Sequence, residues 1–301
     1  MIKKIDEYLD KLKRELRGSD PALIQDALFD AEEYLRTALE DYIENTPGLS
    51  EEEALQPLVE RYGNPSEVAS AYREIESRVL PTLASPKAQA SRPPWAKFFG
   101  VVSDRQAWGA FLYMLLSGLA GCIFGMWALF GTAISLFSLI LIIGLPFTGL
   151  FLLSIRGIAL VEGRIVEELL GLRMPRKPLF VQKGIGWHEK FKVLITESHT
   201  WKALAYVILH FPIGLVYFFG TAILVALSLK CFLYPLWYWG LERPLIDLKQ
   251  PFYPPVWSIP LITVAGIIIF LLILHLAKSA GKIHGRFAKY MLVRKQNELF
   301  K

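Results

Sequence analysis

Cysteine is almost missing from this chain of 301 residues: there are two, Cys122 and Cys231. Both lie in apolar stretches with no metal-type spacing, which argues against a disulfide framework or a thiolate metal centre. Small hydrophobes facing neighbouring helices is the reading that suits them. Charge is missing from long stretches. Residues 106–155, fifty in a row, carry no Asp, Glu, Lys or Arg, and neither do residues 203–229. A secretory leader is not indicated either, since Ile2 to Arg17 mixes charged and apolar residues with no uninterrupted apolar core. No nucleophile–base–acid set stands out, so no catalytic residue, cofactor site or metal site is assigned.

What is present is apolar and unevenly charged. The chain is 53% hydrophobic with a mean hydropathy of +0.36, too apolar for an ordinary soluble protein. Residues 1–80 hold 10 Lys/Arg and 19 Asp/Glu, net −9, while residues 81–301 hold 23 and 9, net +14. An acidic N-terminal part repels phosphates, so direct nucleic-acid binding by it is not expected.

Residues 1–80 read as four helices. Ile2, Ile5, Leu9, Leu12 and Leu16 recur at helical spacing, and Gly18 stops that helix. Ser19 and Asp20 with Pro21 start the second, whose buried face is expected at Leu23, Ala27, Ala31, Tyr34, Leu35, Ala38 and Tyr42. Ser50 with Glu53 forms a capping box for the third, which closes at Gly63. Asn64, Pro65 and Glu67 repeat the start signal for a fourth, running to about Val79. Residues 81–94, with four prolines, read as a linker.

The run Glu51-Glu-Glu-Ala-Leu55, followed by Tyr62-Gly-Asn-Pro-Ser-Glu-Val-Ala69, resembles the HTH-associated α-helical signalling (HAAS) domain, with Asn64 where that family usually has Asp. The resemblance covers nearly all of residues 1–80. It implies a cytoplasmic signalling domain coupled to a transcription regulator, commonly of the PadR type, and makes Gly63, Asn64 and Pro65 candidate coupling residues.

Residues 95–301 read as a membrane domain. A charge-free run of fifty residues extends about 75 Å as helix, enough for two crossings of a core about 30 Å thick. Spans are expected near Trp108–Leu129, Ser135–Ile155, residues 203–229 and Trp257–Leu276. Lys and Arg crowd between spans two and three, and again after span four, which places both segments and both termini in the cytoplasm of a multi-pass cell-membrane protein. Residues 225–240 are apolar enough for a fifth crossing. That would put the basic tail outside, so they are laid along the outer interface, where Lys230 and the Trp237-Tyr238-Trp239 cluster fit. The segment Trp237, Tyr238, Trp239, Asp247, Trp257 is the candidate input site, with simple interfacial anchoring as the competing reading.

The domain also contains an internal repeat, about residues 95–175 and 187–295. Trp108, Tyr113 and Gly121 match Trp201, Tyr206 and Gly214 at a constant offset, and Glu162-Gly-Arg164 matches His284-Gly-Arg286. Both halves begin on one side, so these are parallel repeats. Arg164 and Arg286 are candidates for coupling to the acidic domain, with positive-inside anchoring as the alternative. Gly118, Gly121 and Gly125 permit close helix packing, within the chain or in a homo-oligomer. His210, inside the third span, is the intramembrane ionisable residue to watch.

Ile143-Gly-Leu-Pro146, Leu169-Leu-Gly171, Phe211-Pro-Ile-Gly214 and Pro235-Leu-Trp-Tyr-Trp239, with Trp108 and Tyr113, resemble the four-helix sensor domain of bacterial, especially actinobacterial, histidine kinases. Those kinases continue into dimerisation and ATP-binding regions that this chain lacks, so the resemblance implies a sensor without its own output enzyme. The expectation is therefore an all-α protein: a small acidic helical bundle (1–80), a linker (81–94) and a four-span membrane domain (95–301). It contacts the bilayer and relays a signal to a cytoplasmic regulator. The alternative is a small transporter or permease component. The charge-free first two spans, and the lack of an evident polar pathway, weigh against it.

Overall fold

The computed structural model describes residues 4–46, 50–83, 93–138, 140, 144–176, 187–241, 244–247 and 251–294. Apart from one ladder of two-residue strands, these residues are helices, turns or irregular connections.

Four helices form the N-terminal bundle: α1 (Ile5–Glu15), α2 (Pro21–Asn45), α3 (Glu51–Tyr62) and α4 (Pro65–Leu83). The start and stop signals act through named bonds. Asp20 accepts the Ala22 N–H at 2.9 Å. Ser50 and Glu53 complete a reciprocal capping box, and Glu67 reaches back to the Asn64 N–H at 3.1 Å. Gly18 and Gly63 take positive φ angles of 90° and 110°, which L side chains rarely adopt. One hydrophobic cluster closes the bundle, drawing on Tyr8, Leu9, Leu12, Leu35, Leu55 and Leu58 among others. Four tyrosines brace it. Tyr8 donates to the Gly63 carbonyl at 2.7 Å, Tyr34 stacks on Tyr62, and Tyr72 donates to Asp30 at 2.5 Å. Burial, with the nearby Asp30 carboxylate, pushes the Tyr62 phenol up to about 12.

A short helix α5 (Pro94–Phe99) and a 3₁₀ turn (Gly100–Ser103) follow, then α6 (Arg105–Ser138), α7 (Gly144–Leu170), α8 (Trp187–Thr196), α9 (Ser198–Phe232) and α10 (Tyr234–Leu241). The strands β1 (Ile246–Asp247) and β2 (Pro251–Phe252) pair antiparallel, and α11 (Ile259–Leu292) ends the described chain. Among the described residues four helical segments are long and apolar enough to cross a membrane: Arg105–Ser138, Gly144–Leu170, Ser198–Phe232 and Val256–Leu292. The protein is thus multi-pass. On α6 the side chains of Leu112, Leu116, Leu119, Ile123, Trp127, Phe130, Ile134 and Phe137 are all exposed. Their three- and four-residue spacing makes one continuous stripe, as a helix facing lipid requires.

Several boundaries differ from expectation. Residues 135–138 belong to the first span, and the second starts at Gly144. The Gly163-Arg164 and Gly285-Arg286 segments are continuations of α7 and α11. Local helix propensity and packing carry those helices past the apolar stretch, so their ends lie well beyond a 30 Å core. Residues 225–232 finish α9. The eight residues of α10 rise only about 12 Å, too short for a crossing.

The chain divides into two compact units. The first comprises Met1–Lys87, Gly131–Tyr206 and Phe287–Lys301, and the second Ala88–Phe130 and Val207–Arg286.

Candidate functional site

In the first unit an ionic junction joins the N-terminal bundle to the segment after α7 and to the end of α11. Gly171, at φ 69°, ends α7 and turns the chain into the extended run Leu172–Arg176. That turn sends Arg173 back towards the bundle. Arg173 is 8% exposed and meets three carboxylates: Asp26 at 2.9 Å, Glu76 at 3.3 Å and Glu167 at 3.3 Å. The second oxygen of Asp26 accepts the backbone N–H of Arg176 at 2.9 Å. The Arg176 side chain returns to Glu167 at 3.0 Å. Two further contacts come from the C-terminal end. Lys289 pairs with Asp20 at 2.5 Å, and the Arg294 N–H donates to the Gln25 side chain at 3.0 Å.

A second set of bonds lies beside it. Arg156, buried in α7, donates to Thr200 Oγ1 from Nε at 3.1 Å and from Nη2 at 2.6 Å, and pairs with Glu197. Arg294 pairs with the same Glu197. His199 Nε2 lies 2.9 Å from the Leu292 carbonyl. Gln25, Arg156, Gly163, Met174, His199 and Leu292 surround a cavity of about 30 Å³, room for about one water. The bundle, α7, the start of α9 and the end of α11 are therefore tied by charge-assisted bonds, the strong kind in a partly dry setting.

The second unit has its own buried polar cluster. Tyr113 Oη on α6 and His284 Nε2 on α11 share a hydrogen bond of 2.6 Å. The His210 ring stands 5.4 Å from that of His284, with Tyr217 at 5.6 Å from it. Nearby, Lys278 binds Asp104, and His275 stacks on Phe98 while its Nε2 lies 3.1 Å from the Phe98 carbonyl. Burial raises the Asp104 carboxyl. The Lys278 hydrogen bond, with the backbone N–H groups of Gln106 and Ala107, outweighs it and holds the group below its ordinary range.

The expected site residues fall as follows. Arg164 is half-exposed and pairs with Glu167 at 3.2 Å; Arg286 is exposed on α11. The cationic side chains that meet the bundle are Arg173 and Lys289, and Arg176 meets it through its backbone N–H. Gly63, Asn64 and Pro65 form the α3–α4 corner, where Asn64 is exposed and Pro65 buried. Gly118, Gly121 and Gly125 all face α9: a Cβ at Gly118 would meet Phe218, one at Gly121 the His210 carbonyl at 2.9 Å, and one at Gly125 Phe211. Trp239 and Trp257 are largely exposed, at 68% and 73%, and Trp237 and Tyr238 half-buried. Asp247 lies in β1, in register with Pro251. Its side chain, and those of residues 187–190, lie outside the described residues. Among the described residues no group of three or more His, Cys, Asp or Glu is placed to hold a metal ion.

Asp26, Glu167 and Thr200 were not legible as site residues. The available signal is that seven consecutive residues, Ala22–Leu28, are buried on α2. No single helix face can do that, so a second surface must cover Gln25 and Asp26.

The family described as "Putative sensor" matches residues 113–292. The chain belongs to that family, a class of membrane sensor domains, and the match takes in most of the first spanning helix and the whole of the other three. No curated protein and no solved structure matches it.

Proposed function

We propose that this protein is a membrane-embedded sensor that relays a signal from the bilayer or the outer face to a cytoplasmic partner, with no catalytic output of its own. The ionic junction carries the reading. It connects the N-terminal bundle to the connection after span two and to the end of span four, the elements that a change in helix packing would displace. The bundle precedes span one, so these contacts support a topology in which the bundle, the connection after span two and the end of span four share one side of the membrane. The Lys/Arg excess of those segments supports the cytoplasm as that side.

The HAAS-like residues of the bundle support a regulator of the PadR type as the partner. The matched halves of the membrane domain support a parallel repeat. Trp108 and Trp201 each donate to a carbonyl six residues earlier, those of Val102 and Ile195, at 2.7 Å in both cases. Co-purification of the full-length protein from its own cells tests the relay, with a DNA-binding regulator expected in the eluate. A cysteine-labelling topology map is expected to shield Ser19 and Ser279 from an impermeant reagent and to label Asp247. Substrate uptake into proteoliposomes with no regulator recovered would overturn the reading in favour of a transporter.

A further inference from the structure

The bundle carries one surface whose polar groups serve something outside the bundle. Gln25 and Asp26 are 2% and 5% exposed. Neither belongs to the hydrophobic cluster that closes the four helices, which uses their neighbours Leu23, Ile24, Ala27 and Leu28. Their hydrogen bonds run to the backbone of Arg294, the guanidinium of Arg173 and the backbone of Arg176. Asp20 and Glu76 flank them and take Lys289 and Arg173. A polar group buried against a partner surface is stable only while its hydrogen bonds are made. Groups of this kind on a domain with its own closed core mark a recognition surface.

We infer that this face, Asp20, Gln25, Asp26 and Glu76, is the binding surface for the bundle's protein partner, and that the chain's own Arg173–Arg176 run occupies it as an internal ligand. This rests on the relay reading above. The chemistry defines the partner: a basic, extended segment presenting an arginine and, three residues later, a free backbone N–H, as Arg173 and Arg176 do. The arginine fork suits a carboxylate better than an ammonium does, and the net −9 of residues 1–80 draws a basic segment in. Asp26 uses both oxygens on the internal ligand, so docking and partner binding exclude each other. Release of the bundle is then what exposes the surface.

The test uses the full-length protein in nanodiscs and a fluorescein-labelled peptide of residues 171–177, Gly-Leu-Arg-Met-Pro-Arg-Lys. A surface occupied most of the time binds a competitor weakly, in proportion to its vacant fraction, so Arg173→Gln should bind the peptide at least about tenfold more tightly than the unmodified protein. Lys289→Ala, which loosens only the rim, should bind it with intermediate affinity. Asp26→Asn should abolish the gain in either background. Should Arg173→Gln fail to fold, the comparison of Lys289→Ala with and without Asp26→Asn decides. Equal affinity for all variants, or binding that survives Asp26→Asn, overturns the surface assignment. A regulator that still co-purifies would leave the relay itself standing.

Discussion

Truncating Arg173 to alanine removes the cation around which the junction is built. Its guanidinium lies within 3.3 Å of Asp26, Glu76 and Glu167, all nearly buried. Without it Glu167 keeps Arg176 at 3.0 Å and Arg164 at 3.2 Å, while Asp26 and Glu76 lose the guanidinium they share. Removing one partner of a buried ion pair costs about 3–5 kcal/mol. The remaining Arg164 and Arg176 put the change at the lower end, about 3 kcal/mol. Undocking rehydrates Asp26 and Glu76, so the penalty appears as release of the bundle, about a 150-fold shift in the docking equilibrium. Asp26→Asn strands no charge and removes one of three acids from a junction with two arginines. It should cost less, about 1–2 kcal/mol. The double variant should cost less than the sum, by about 0.5–3 kcal/mol of coupling. Single-molecule energy transfer between dyes at Glu44→Cys and Glu168→Cys, both exposed positions, measures the docked fraction in nanodiscs once Cys122 and Cys231 are replaced by alanine. If Asp26→Asn releases the bundle more than Arg173→Ala, or if the two effects simply add, charge compensation by Arg173 is not what holds it.

Three further outcomes are expected. Gly63→Ala forces a side chain into φ 110° and sets its Cβ 3.2 Å from Val68, so the bundle should lose about 1–2 kcal/mol in a thermal melt; an unchanged melt would refute the strained corner. Tyr113→Phe removes the buried hydrogen bond to His284 and should lower detergent stability by about 1–3 kcal/mol, read as a fall in melting temperature; no fall would mean that the bond contributes nothing net. The Asp104 carboxyl is held below its unfolded value, so the Asp104–Lys278 contact contributes stability above a pH of about 4 and loses it as pH falls through the lowered value. The difference in melting temperature between the unmodified protein and Asp104→Asn should persist at neutral pH and vanish in strong acid; a difference independent of pH would sink the argument.

Much of the architecture was legible because it is set locally. Capping at Asp20, Ser50 and Glu67 needs only residues two or three positions apart, and stretches without charge announce spans by length alone. The junction was not legible, because its parts lie far apart in the chain. Asp26 and Arg173 are separated by 147 positions, and Asp20 and Lys289 by 269. Arg173 and Arg176 read in sequence as members of a basic tract, indistinguishable from Arg164. Their burial also sets how the junction responds to salt. A docked acidic domain held by surface charge would be released by salt. Here the Asp20–Lys289 pair is about a quarter exposed and Arg176 about a third, while the Asp26–Arg173–Glu167 set is almost dry and little screened.

By itself the sequence determined an acidic four-helix bundle, four apolar spans and the side on which the cations gather, since helix periodicity, capping and hydrocarbon thickness act over short stretches of chain. The tertiary structure alone decided which cations meet the bundle, that α7 and α11 continue unbroken through Gly-Arg, and that Gly118, Gly121 and Gly125 receive α9. Those outcomes depend on which residues come within about 3 Å of one another after folding, and no local pattern encodes that distance.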